Sequence, residues 1–320
     1  MPILRFRTLP LFLAAFAVAS ASACRSSAAE ESAVRRGDED FAEGKYEAAL
    51  AEYRLAVRQG ADDARTLSRV AHTYAMMGRV DDVGTFYDRA VDQDSTVKDL
   101  AVADLMRLAK ASLKSGDTFA MASAVEDALK LRPGLGVGDL ALPLARHYYK
   151  NGQYGRALPF YLKAMANQPV DSMPDVVFEV GQVYDQIGDC QHALVFFERF
   201  RKMVRPSQRG EVDWHIGTCA FNLSKQIRAR RPVTPEDLDQ ALRMVNRTLE
   251  LGEPRNIQSQ AWFEKGEILS DLGQCQEAMD AYRQVRFSDA SGSLADRAQD
   301  RFDEIRFGQG LDSLRNGRCR

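Results

Sequence analysis

Apolar and small residues recur along this chain in a frame that returns every 34 to 38 residues, except for a last step of 49. The frame is clearest at Leu144, Ala145, Tyr148, Gly152, Tyr154, Ala157, Tyr161 and Ala164, followed by Pro169. Spacings of three and four on either side of Gly152 predict two short amphipathic helices joined by a tight turn. Ala145, Ala157 and Ala164 let two helices approach closely, and the tyrosines fill the space those small side chains leave. Gly152 suits the turn, and Pro169 stops the second helix.

The pattern returns in six other places. A first copy has Gly37, Phe41, Gly44, Tyr46, Ala49, Tyr53 and Ala56; a second has Tyr74, Gly78, Tyr87 and Ala90, with Val83 at a small-residue position. The third is weakest, keeping Gly116, Ala128 and Pro133 but carrying Met121 at the close-packing position. The fifth has Gly181, Tyr184, Gly188, Ala193, Phe197 and Phe200; the sixth keeps Gly217 and Ala241; the seventh has Trp262, Gly266, Gly273, Ala278 and Tyr282. These residues and spacings resemble the tetratricopeptide repeat (TPR) consensus. The resemblance implies an all-α fold, a right-handed superhelical solenoid of about seven helix pairs over residues 32–292. Each pair would bury its apolar stripe only against its neighbours. A capping helix is expected over 293–307, with Leu294, Ala298, Phe302 and Ile305 on its apolar side, and a loose tail over 308–320. The extra length falls inside the sixth repeat, at 224–236. There Lys225, Arg228, Arg230 and Arg231 mark either an elongated first helix or a basic loop, and Thr234 and Pro235 open the next helix as N-cap and first residue.

In this family the inner wall is formed by set positions of the first helix of each pair. Carried over, they give Arg65, Arg69 and His72, then Arg107, Lys110 and Lys114, then Arg146, Tyr149 and Lys150, a basic amino-terminal half. Glu179, Asp185, Glu264, Glu267 and Asp271 make the other half acidic. The basic half would suit an acidic or carboxylate-bearing segment of a protein partner; the bland alternative is a solvated wall that keeps the chain soluble. Phe178, Trp214 and Phe263 hold equivalent positions in consecutive repeats, and would either anchor a partner's side chain or pack between repeats.

The amino terminus differs in kind. Arg5 and Arg7 precede an apolar run from Leu9 to Val18, and small residues lead into Ala21-Ser22-Ala23-Cys24. This is the layout of a signal peptide over 1–23, too short in its apolar part for a mature span of about 20 residues. Small residues before Cys24 resemble a bacterial lipobox, although Ala21 replaces the usual leucine. Cys24 would then be acylated, with 24–31 a short tether, and Arg25 rather than aspartate after it favours the outer membrane. Cleavage after Ala23 without acylation would instead release a soluble periplasmic protein.

Composition narrows the partners. With 43 basic and 45 acidic residues the chain lacks the cationic surplus of a general nucleic-acid binder. Beyond Cys24 four cysteines remain, an even number compatible with two disulfides in an oxidising compartment. Cys190 and Cys219 fall towards the same end of neighbouring helices, and the tail could return Cys319 to Cys275; buried free thiols are the alternative. His215 and Cys219 are four apart on one face, but no second pair at zinc-site spacing joins them, so no metal or cofactor is expected. No phosphate loop, His-Glu-x-x-His or serine elbow is present, so an enzyme is not expected. Anchor plus repeats resembles, in general layout, the repeat-bearing lipoprotein of barrel assembly, pilus-assembly pilotins and adaptors of cell-wall hydrolases. The implied role is a protein-binding scaffold. A soluble regulatory subunit and a polysaccharide or cell-wall binder are the other readings.

Overall fold

The computed structural model describes residues 31–166, 172–288, 292–307 and 319. The signal peptide, Cys24, nearly all of the tether, Pro169 and most of the tail lie outside them. Every element among the described residues is helical, and no strand occurs. Two compact units are present, Met1–His147 and Tyr148–Arg320, with their boundary inside a helix.

The first unit contains α1 (31–42), α2 (Tyr46–Gln59), α3 (Ala64–Met76), α4 (Val80–Gln93), α5 (Lys98–Ser115), α6 (Thr118–Leu131) and most of α7 (Ala141–Lys150). Odd-numbered helices are the first members of the expected pairs. Short turns join the members, as at Gly78, whose φ of 77° is left-handed. Helix starts follow local chemistry: the Asp63 carboxylate accepts the N–H groups of Arg65 and Thr66 and caps α3. Leu67, Val70, Tyr74, Tyr87, Leu105 and Met121 make the core.

The second unit runs from the end of α7 through α8 (Tyr154–Ala166), α9 (Pro174–Gln186), α10 (Cys190–Met203), α11 (Gly210–Arg228), α12 (Pro235–Leu251), α13 (Gln258–Asp271) and α14 (Cys275–Ser288) to α15 (Ser293–Phe307). Of the two forms open for the sixth repeat, the structure takes the elongated helix: α11 has 19 residues and carries Arg228 at its end. Thr234 and Asp237 then form a reciprocal capping box at the start of α12. Phe197, Ile216, Val245 and Ile268 belong to one core cluster; Tyr282, Val285, Phe302 and Ile305 belong to another, against which α15 lays its apolar side.

One packing device appears in both units. An aromatic ring sixteen residues downstream lies flat on a glycine of the preceding helix: Tyr53 on Gly37, Phe197 on Gly181 and Tyr282 on Gly266. A Cβ at any of these glycines would sit 2.6 Å from a ring carbon, so the side chain is excluded by the ring it helps to seat. Each buried ring contributes roughly 1.5–3 kcal/mol by leaving water, which ties the frame read from the sequence to the stability of each pair.

Candidate functional site

The expected inner-wall residues lie on odd-numbered helices, but the structure does not leave them as a uniform charged wall. Side chains reach from one odd-numbered helix to the next and form polar links. In the first unit, Arg69 of α3 binds Asp38 of α1, with Nε to Oδ1 at 2.8 Å, while the Tyr53 hydroxyl donates to the same oxygen at 2.7 Å. His72 Nδ1 lies 2.6 Å from Oδ2 of Asp104 on α5. That buried carboxylate also accepts the Tyr87 hydroxyl and, at 2.7 Å, the Arg107 guanidinium. Burial and then the Asp104 bond push the Tyr87 phenol up, fixing it as a donor. Arg69, His72 and Arg107 are therefore engaged by the fold. Arg65, Lys110 and Lys114 stand exposed without an ion-pair partner among the described residues. Arg146 is half-buried and makes contacts of its own.

Two depressions meet around Arg65 and Arg69. One, of about 370 Å³, is lined by Arg65, Ser68, Arg69, His72, Asp94, Thr96, Val97 and Leu100. The other, of about 680 Å³, adds Glu31, Val34, Ala61, Asp63 and Gln93 to the same two arginines and Asp94, so its charge is mixed. Asp94 is occupied locally, accepting the Thr96 N–H at 2.9 Å. Leu100 is 44% exposed, so the smaller depression sets an apolar side chain beside the exposed Arg65 guanidinium.

In the second unit the expected acidic positions are likewise answered. Glu264, only 5% exposed, takes a bidentate contact from Arg228 of α11 at 2.7 and 3.1 Å. Glu267 and Asp271 stand behind it, 3.9 and 3.6 Å from Arg228 Nη1. Arg301 of α15 and the Tyr282 hydroxyl bind Glu267 at 2.9 and 2.7 Å. Burial works against the charge of Glu267, yet Arg301 and Tyr282 outweigh it and hold the carboxyl below its ordinary value. Asp185 meets His215 and Cys219 of α11, and Glu179 is half-buried with contacts of its own. Tyr149 donates to Gln182 at 3.0 Å, and Lys150 is exposed. The aromatic strip divides: Phe178 packs against Phe200 at 4.7 Å between ring centres and Phe263 against Tyr282 at 5.6 Å, whereas Trp214 stays 46% exposed.

The cysteines differ from each other. Cys275 and Cys319 form a disulfide. Cys319 also donates its N–H to the Ser270 carbonyl and accepts the Ser270 hydroxyl at 2.8 Å, so this point of the expected loose tail is clamped to α13. Cys190 and Cys219 are buried free thiols, and the bridge expected between them is not formed in the structure. Cys219 instead donates to Asp185 at 3.3 Å. Sequence spacing missed Arg228 as the partner of Glu264 and Asp185 as the partner of both His215 and Cys219. The relevant separations, 30 to 36 residues, are close to one repeat and look like repetition rather than pairing.

Residues 259–285 match the tetratricopeptide repeat family. The match covers most of α13 and α14 and supports reading the helix pairs as tetratricopeptide repeats. No curated protein matches the chain. Among solved structures, the chain is similar to the C-terminal part of a TPR repeat-containing protein from Cytophaga hutchinsonii, at 15% identity over 83% of this chain and 98% of that one, with a TM-score of 0.34. It is also similar to pilF of Pseudomonas aeruginosa, at 12% identity over 86% and 98% with a TM-score of 0.30. A third similarity is to the TPR2AB domain of yeast Sti1 in a complex with pHSP90, at 16% identity over 88% and 98% with a TM-score of 0.30. Similarity at these levels bears on neither site nor partner. No helix among the described residues is long and apolar enough to cross a membrane.

Proposed function

We propose that this chain is a non-catalytic binding scaffold, and that the depression around Arg65 and Leu100 receives a carboxylate-bearing segment of a protein partner. The observation that carries this reading is the unequal use of cations in the first unit. Arg69, His72 and Arg107 are held by Asp38 and Asp104, whereas the exposed Arg65, beside a partly exposed leucine, has no ion-pair partner among the described residues. A guanidinium next to an apolar floor recognises an acidic or carboxyl-terminal residue flanked by an aliphatic one. Lys110 and Lys114, on one face of α5, extend the positive potential and favour capture of an oppositely charged chain. The amino-terminal pattern supports tethering by acylated Cys24 at the periplasmic face of the outer membrane, where such a scaffold would serve envelope or pilus assembly.

A photoreactive residue placed at Leu100 in cells would crosslink the partner, and mass spectrometry would name it. Arg65→Glu with Lys110→Glu is expected to weaken the purified complex about tenfold, since charge reversal opposes both capture and retention. Unchanged affinity in that double variant would rule out the basic depression. The anchor is tested separately: detergent-phase partitioning and an acyl mass shift at Cys24 are expected, and aqueous release with an unmodified cysteine would remove it.

A further inference from the structure

Asp185, Cys190 and Cys219 arrive from three helices at one point in the second unit, on the last turn of α9, the first residue of α10 and the middle of α11. One carboxylate oxygen and the two sulfurs all lie within 4.8 Å of one another. Cys219 is fully buried and Cys190 is 6% exposed. The carboxylate is oriented by its partners: Oδ1 accepts from the Cys219 thiol at 3.3 Å, and Oδ2 lies 3.0 Å from His215 Nδ1. His215 is itself fixed by rings, stacked on Phe197 at 4.9 Å and meeting Phe178 edge-on at 5.7 Å.

We propose that Asp185, Cys190 and Cys219 form a binding site for a thiophilic divalent cation of the zinc type, with His215 as the positioning residue for the carboxylate. Two sulfurs and one oxygen suit zinc and disfavour calcium or magnesium, which take all-oxygen sets. With bonds of about 2.3 Å to sulfur and 2.0–2.2 Å to oxygen, tetrahedral donors stand roughly 3.3–3.8 Å apart. Starting from an upper bound of 4.8 Å, the three atoms need to close by no more than about 1–1.5 Å. Charge favours the exchange. The cation displaces the two thiol protons to water, and two thiolates plus one carboxylate around a doubly charged ion leave the net charge of the cluster unchanged. Loss of the Cys219 proton frees Oδ1 for the metal while His215 still holds Oδ2, the arrangement in which an outer histidine tunes a ligating carboxylate. A disulfide between the two cysteines would remove the donor from Oδ1 and leave that oxygen facing sulfur in a largely buried place.

The test is a cobalt(II) titration of the full chain with the Cys275–Cys319 bridge intact, followed by zinc competition. With water as the fourth donor, one equivalent should produce a thiolate-to-cobalt charge-transfer band and the visible bands of a tetrahedral site, both abolished by zinc. The double variant Cys190→Ser, Cys219→Ser should abolish the thiolate charge-transfer signature. His215→Gln should weaken binding about 10- to 100-fold, the usual effect of losing an outer partner. Retention of the helical circular-dichroism signal checks the variants, and Asp185→Asn, at a less buried position, gives a second comparison with a weakened band expected. Absence of the band in the wild-type protein, its persistence in the double serine variant, or recovery of a Cys190–Cys219 disulfide peptide from protein isolated with its thiols blocked would each overturn the proposal.

Discussion

Replacing Arg228 with methionine keeps most of the aliphatic stem and removes the charge that Glu264 faces. The carboxylate it leaves behind is 5% exposed, and Glu267 and Asp271 lie on the same helix one and two turns on. Burial disfavours the Arg228 charge, yet Glu264, with Glu267 and Asp271 behind it, outweighs that and raises its pKa. Removing one partner of a buried pair costs about 3–5 kcal/mol, because the other charge stays desolvated and uncompensated. The Arg228 side chain keeps 30% of its exposure, so water partly screens the pair and roughly 2–4 kcal/mol is expected here.

The control is the double variant Arg228→Met, Glu264→Leu. With neither charge present, the buried Glu264 carboxylate is gone, Glu267 keeps Arg301 and Tyr282, and the partly exposed Asp271 keeps contacts of its own, so stability should return to within about 1 kcal/mol of the parent. Urea denaturation followed by far-ultraviolet circular dichroism gives the global curve. Tryptophan fluorescence gives the local one, since Trp214 on α11 and Trp262 on α13 lie on the two helices this pair joins. Both probes are needed because repeat proteins can lose one segment before another. A single variant costing less than about 1 kcal/mol, or a double variant as unstable as the single, would refute a buried-charge origin for this link.

Three other outcomes follow from the same geometry. Gly217→Ala should cost about 3 kcal/mol or more by overpacking, because its Cβ would lie 1.8 Å from the Glu253 carbonyl oxygen, whereas Gly155→Ala on α8, with nothing within 4 Å, should gain roughly 0.5–1 kcal/mol in the same urea assay. Cys319→Ser should destabilise the end of the second unit by about 2–4 kcal/mol, since the bridge closes a separation of 44 residues; superposable denaturation curves for the variant and the parent would show that the tail contributes no clamp. The carboxyl of Glu267 is depressed in the folded state, so its contribution is present above the ordinary value of 4.5 and is lost as pH falls through the lower folded value. Arg301→Gln should flatten that acid-side loss of melting temperature, and an unchanged pH profile would assign the loss to other groups.

The helix pairs were legible because their determinants are local. Gly37 with Tyr53, Gly181 with Phe197 and Gly266 with Tyr282 share one spacing, and each is a steric fit between two helices joined by a single turn. The links between pairs were not legible, and the reason is physical rather than statistical. Arg69 and His72 occupy the same face as Arg65 and Lys110 whether they serve a partner or the fold, so face position alone made them look like binding residues. Engagement separates the cases: buried Asp104 needs His72, and Asp38 joins Arg69 to the Tyr53 hydroxyl, whereas no carboxylate among the described residues pairs with Arg65. Arg228 escaped because the repeat frame stretches by some 13 residues at that point, and a cation outside the frame reads as loop charge. Asp185 and Cys190 escaped for a related reason, since ligand spacing was sought along one helix and the cluster draws on three. The residues the fold does not consume are thus the ones to test for binding: a basic position earns that role when no carboxylate among the described residues already holds it.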